Sequence, residues 1–200
     1  MALKGAILLE QGKGEEALEV YRTWATKATN NDNYALAQLG MVRSAREAQQ
    51  WGDLVESADV LLESGYTLSG DVEQEVMLAR AIANAQLGNK HDARVDLTSL
   101  AQNPQSEAGA QAAYELAKMR YDEGDLAGAE KMLDEFFDSG TSQSYWVAKG
   151  FILLCDIYHD NGEDDKAVEH LVSLKKNYPG KEGEIFNEID SRLEQWKKSK

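Results

Sequence analysis

The chain has 200 residues, 42 % of them hydrophobic and 28 % charged, with 35 acidic against 21 basic side chains and a formal net charge of −14. That length can bury a sizeable core, and so acidic a chain lacks the basic face through which duplex nucleic acid is bound, so no nucleic-acid partner is expected. One cysteine, Cys155, excludes an internal disulfide, and two prolines exclude a proline-rich linker.

The first ten residues, Met1 to Glu10, run straight into a helical pattern without a small-residue cleavage site and are taken as structure. Four segments then share a glycine followed five residues later by an alanine: Gly12 and Ala17, Gly88 and Ala93, Gly124 and Ala129, Gly162 and Ala167. The alanines stand 76, 36 and 38 residues apart, and the long interval holds a degenerate copy at Gln49 to Leu54, with Leu54 in the alanine place. Helical patterns flank these motifs, as at Ala110–Glu123 and Ala127–Phe137, or Trp146–Asp160 and Lys166–Asn177. Five helix–turn–helix units are expected in a single repeat domain over residues 1–200, at about 1–30, 31–66, 70–105, 106–140 and 143–180.

A glycine ending the first helix can take the left-handed backbone that stops it, and a small alanine in the next helix lets the antiparallel pair approach. Ala129, Met132, Leu133 and Phe136, like Ala167, Val168, Leu171 and Leu174, recur at helical spacing and are expected to face inward. Pro104 and Pro179 fall just after second helices, where they interrupt helix between units. The longest purely apolar run, Phe151 to Cys155, is far short of the ~20 residues that span a bilayer, so no membrane insertion is expected. Residues 182–198 read as one more amphipathic helix, with Ile185, Phe186, Ile189, Leu193 and Trp196 on one side, suited to capping the last unit. Met1 aligns inside the first helix of copy one. A bare apolar face near Ala6 and Leu9 is therefore expected, open to self-association through the uncapped N-terminal end, as in a C-terminal fragment of a longer array.

A repeat of this length and motif resembles the tetratricopeptide repeat family, over essentially the whole chain. Copy five carries the resemblance through Phe151, Leu154, Cys155, Tyr158, Gly162, Ala167, Leu171, Leu174 and Pro179, and copy four through Leu116, Ala117, Gly124, Ala129 and Leu133. Copy two lacks the glycine and alanine, copy three has Arg80 and Asn84 where apolar residues are usual, and copy one has Trp24 at a small position. The resemblance implies an all-α, right-handed α–α superhelical solenoid of about five such repeats plus a C-terminal capping helix. It also implies a concave groove lined by first helices: Leu78, Ile82 and Ala85 in copy three, then Gln111, Tyr114, Lys118 and Tyr121 in copy four, and Lys149, Ile152, Asp156 and His159 in copy five.

That mix suits a peptide or partner helix, so the resemblance implies a non-catalytic protein-interaction scaffold. The alternative is a regulatory or docking part of a larger enzyme or envelope-assembly protein. The carboxylate clamp by which some family members hold chaperone tails maps to Leu78, Ile82, Glu115, Lys149 and Leu153, of which only Lys149 matches. Short acidic copies with a long period are similar to arrays of bacterial envelope and secretion proteins, which implies the periplasm or envelope, with the cytoplasm as the alternative.

No nucleotide-binding, metalloprotease or serine-hydrolase motif occurs. The acidic turn Asp160 to Asp165 fails as a calcium loop, because the register set by Gly162 puts Ile157 and Val168 at ligand places. Cys155 and His159 stand one helical turn apart without a third partner, and Cys155 occupies a small helix-contact place, which favours a buried inert thiol. No cofactor and no metal are expected. His91 and His170 read as surface residues, and carboxylate pairs such as Glu15/Glu16 and Asp134/Glu135 as solvated helix faces. Trp51, Phe136, Phe151, Tyr158 and Phe186 are assigned to packing, while Tyr114, Tyr121, Tyr145 and Trp146 are left open between packing and binding.

Overall fold

The computed structural model describes residues 1–197, which hold eleven α-helices and no strand. In chain order these are α1 (Ala2–Glu10), α2 (Gly14–Lys27), α3 (Asn31–Glu47), α4 (Trp51–Glu63), α5 (Gly70–Gln86), α6 (Lys90–Ala101), α7 (Glu107–Asp122), α8 (Leu126–Asp138), α9 (Ser144–Asp160), α10 (Asp164–Asn177) and α11 (Gly183–Lys197). Lys198, the last residue expected in the terminal helix, lies outside the described residues. The chain forms two compact units, Met1–Ser99 and the part from Leu100 onward.

One backbone device joins the two helices of every pair. Gly12, Gly88, Gly124 and Gly162 have φ of 69°, 83°, 80° and 79°, and Gln49 takes the same left-handed place in the degenerate copy with φ 55°. In each case the next N–H bonds back to the carbonyl five residues earlier: Lys13 to Leu8 at 2.9 Å, Gln50 to Ala45 at 2.8 Å, Asn89 to Asn84 at 2.8 Å, Asp125 to Arg120 at 3.0 Å and Glu163 to Tyr158 at 2.8 Å. This is the six-to-one bond that satisfies a helix's last carbonyls and sends the chain into the partner helix. Ala17, Leu54, Ala93, Ala129 and Ala167, five residues after each left-handed position, are all fully buried. Helix starts are fixed by side chains where the sequence allows, with Asn30, Ser106 and Asp125 accepting the N–H of Asn33, Gly109 and Gly128.

In the first unit α1 to α5 pack in succession. Their core holds Leu18, Val42, Ala45, Leu54, Ala58, Leu61, Val76, Ala79 and Ala83, with Trp51 packed against it. α1 has nine residues where α3, α5 and α9 have seventeen. It is fastened through Tyr21 of α2, whose ring lies against Gly5 of α1 and Gly40 of α3 so closely that a Cβ on either glycine would collide with it. Trp24, too large for the small place it occupies, rests near the same ring with centroids 6.2 Å apart. Met1, Leu3 and Ile7 are 54, 74 and 43 % exposed.

In the second unit α7 packs on α8 and α9, α9 on α8 and α10, and α11 on α9 and α10. A single core runs through Ala117, Ala129, Leu133, Ala148, Ile152, Leu154, Cys155, Ile157, Ala167, Leu171, Ile185, Ile189 and Leu193. Phe151 joins it by stacking on Phe137 at 4.2 Å, Tyr158 and Phe186 pack with it, and the buried Phe136 has its ring centre 5.9 Å from that of Phe137. His170, expected on the surface, is instead half-buried with its ring 5.5 Å from that of Tyr158.

Candidate partner-binding face

The candidate site belongs to the second unit. Gln111, Tyr114, Lys118 and Tyr121 follow one another at helical spacing along α7, and all four are half-buried. The neighbouring α9 presents Tyr145, Lys149, Asp156 and His159, also half-buried. Ile152 is 1 % exposed and sits in the core beneath that row, so it offers no surface to a partner.

The α9 row is largely engaged by α11, which brings Glu184, Glu188, Arg192 and Trp196 to it at intervals of four residues. Lys149 Nζ lies 2.6 Å from Glu188 and 3.5 Å from Glu184, and 5.8 Å from the centre of the Tyr114 ring. Asp156 accepts two bonds from the Arg192 guanidinium, at 2.6 and 2.7 Å. His159 is stacked on Trp196 at 4.5 Å, with Nδ1 2.6 Å from Asp164. Tyr145 donates to Glu184 at 3.0 Å. The α7 row keeps more freedom: Lys118 pairs with Asp122 on its own helix at 2.7 Å, and Tyr121 donates to Asp160 at 2.7 Å. Tyr114 rests beside Trp146, ring centres 5.7 Å apart.

Burial governs the electrostatics of this face. It raises the Tyr114 phenol well above its ordinary value, and burial with the bond to Asp160 does the same to Tyr121. Burial followed by the bond to Glu184 pushes Tyr145 up to about 12. All three hydroxyls are therefore donors at neutral pH. Glu115, also on α7, has its carboxyl raised by burial, a shift that Lys118, the Gln111 amide and Lys149 oppose. Arg192 loses solvation through burial, and its two bonds to Asp156 outweigh that and hold its charge.

Cys155 is 1 % exposed and burial pushes its thiol up to about 12, far from a nucleophilic thiolate. Among the described residues no three His, Cys, Asp or Glu side chains gather as a metal site would need. No helix among them is long and apolar enough to cross a membrane.

Two residues at usually apolar places in copy three have partners that the motif does not reveal. Arg80 of α5 donates to both oxygens of Asp96 on α6, at 2.8 Å each, and to Asp59 on α4 at 2.8 Å. Asn84 accepts from the Asn89 amide at 3.1 Å. Leu78, Ile82 and Ala85 are half-buried along α5.

Helix pairs joined by a recurrent left-handed turn, with an alanine buried at four of the five crossings and Leu54 at the other, define the tetratricopeptide-type repeat fold. Solved structures with this fold superpose on the chain. The nearly identical TPR-like repeats of a Podosopora anserina kinesin light chain match 88 % of this chain and 91 % of their own, with a TM-score of 0.68 and 16 % identity. A tetratricopeptide repeat protein from Parabacteroides merdae ATCC 43184 matches 98 % of this chain and 72 % of its own, with a TM-score of 0.66 and 19 % identity. No protein-family model and no curated protein matches the sequence.

Proposed function

We propose that this chain is a non-catalytic protein-interaction scaffold whose α7–α9 face takes up a peptide or a partner helix. The observation that carries the reading is the row Gln111, Tyr114, Lys118 and Tyr121, whose half-buried side chains expose part of their area at helical spacing on one side of α7. Tyrosines held in this way offer a large rigid ring and a polar tip at little entropic cost, as interface hot spots do. Lys149, Asp156 and His159 border the row and are held in place by α11, so a partner meets a preorganised edge. The fold shared with repeat proteins supports a binding role by analogy.

The test uses peptides selected from a random display library on the wild-type chain. The double variant Tyr121→Ala, Lys118→Glu should keep its melting temperature to within a few degrees and bind the selected peptides about tenfold more weakly or worse. Peptides that bind wild type and double variant equally would place the interaction away from this face.

A further inference from the structure

Among the described residues, the exposed large hydrophobics Leu36, Leu87, Val95 and Val172 each stand alone on a separate stretch of chain. α1 is different. It exposes Leu3 and Ile7 together, one helical turn apart and 74 and 43 % exposed. Its other side carries the buried Gly5 and Leu8, with Leu8 clustered against Ala17 and Tyr21, so the helix is already docked on its own unit and shows a second apolar side to the outside. Glu10 continues that side one turn beyond Ile7, Lys4 borders it, and the small, exposed Ala2 and Ala6 keep its far edge low.

The two charges on this side are placed against the helix that carries them. Lys4 lies in the first turn, at the positive end of the helix dipole, and Glu10 is the last residue, at the negative end. Each sits where its own helix disfavours it, and neither has an ion-pair partner among the described residues. They also stand three residues to either side of Ile7. If a second α1 crosses antiparallel at Ile7, residue 4 of each helix falls opposite residue 10 of the other, so two pairs of opposite charge form at once. The two dipoles then also run in opposite directions. A parallel crossing would set lysine against lysine and glutamate against glutamate.

We propose that the outward side of α1 is a docking surface for a second copy of this chain, joined as a two-fold dimer with the α1 helices antiparallel. Ile7 meets its own copy at the axis, Leu3 lies along the stem of Glu10 of the second copy, and Lys4 faces the carboxylate of that Glu10. The same patch serves both copies, so the contact closes at two chains. A nine-residue helix covers much less than the roughly 800 Å² per partner of a stable interface, so the dimer is weak, with a dissociation constant of about 0.1–1 mM. None of these residues lies on α7 or α9, and the dimer stands or falls independently of the peptide-binding reading.

Sedimentation equilibrium from about 0.02 to 1 mM, in about 0.15 M salt to screen the repulsion between two copies of net charge −14, tests it. Wild type should pass from monomer toward dimer over that range. Leu3→Gln, at a largely exposed position, should melt with wild type in dilute solution and dimerise about fivefold more weakly. Lys4→Glu and Glu10→Lys should each dimerise about tenfold more weakly than wild type, because either change sets two pairs of like charge across the axis, while both changes suit the dipole of α1 and keep the fold. Mixed in equal amounts, these two variants should associate about as well as wild type, since a chain with two acidic side chains then faces one with two basic ones. A wild-type chain still monomeric at 1 mM, a Leu3→Gln variant that dimerises as wild type does, or a mixture of the charge variants that associates no better than each alone would overturn the proposal.

Discussion

The degenerate turn offers a test of the fold at single-atom scale, because Gln49 occupies with φ 55° a place that four other turns give to glycine. A side chain with a Cβ pays about 1–2 kcal/mol in left-handed backbone. Glycine avoids that strain but adds freedom to the unfolded chain worth about 0.5–1 kcal/mol. Gln49→Gly should therefore stabilise the protein by about 0.5–1 kcal/mol, since Gln49 is exposed and its side chain makes no hydrogen bond among the described residues. The reciprocal Gly124→Gln should cost a similar amount from backbone strain alone, because a Cβ there meets nothing within 4 Å. Urea unfolding followed by circular dichroism reads both as shifts in midpoint at constant slope. In thermal melts about 1 kcal/mol corresponds to about 2–4 °C for a chain of this size. A destabilising Gln49→Gly, or a neutral Gly124→Gln, would refute the claim that the five turns are one structure.

Gly40→Ala should destabilise by about 1–2 kcal/mol, the overpacking cost against Tyr21 less the helix propensity gained, and in a Tyr21→Leu background the same change should become neutral or favourable. A double-mutant cycle in urea checks this. Ala129→Leu, at a fully buried crossing of the second unit, should cost about 1–3 kcal/mol by overpacking, measured in the same way. Glu115→Gln tests the raised carboxyl: a group that binds its proton more tightly when folded withdraws stability as pH rises from its unfolded value of about 4.3 through its folded one. The glutamine variant should therefore gain on wild type with rising pH across that window and match it at lower pH, which unfolding curves on both sides will show.

The repeats were legible because their signal is local. A glycine that must turn left-handed and an alanine that must fit a helix crossing leave the same two letters five residues apart, and the four clear copies sit where the structure places them. The copy at Gln49 was legible only by counting, since its six-to-one bond runs between backbone atoms that carry no sequence mark. What stayed hidden is what depends on pairing across helices. Arg80 and Asn84 read as lapses from the motif until Asp59, Asp96 and Asn89 stand beside them, and nothing local announces those partners. Along α9, spacing placed Lys149, Asp156 and His159 on one side, but only the packing of α11 reveals that Glu188, Arg192 and Trp196 meet them. Ile152 shares their spacing and sinks into the core, because a one-helix periodicity cannot tell an edge position from one roofed by the next helix.

The ring of Tyr21 pressed between Gly5 and Gly40 ties three positions on three helices into one inherited unit. A tyrosine there forbids a side chain on either glycine, and a side chain on either glycine forbids the tyrosine. Among descendants of this sequence the three should therefore change together or not at all, with a smaller residue at position 21 as the only gate through which 5 or 40 can drift. Two glycines that seem, in one sequence, to be ordinary weak points of a helix are then bound to the fate of a tyrosine on a third.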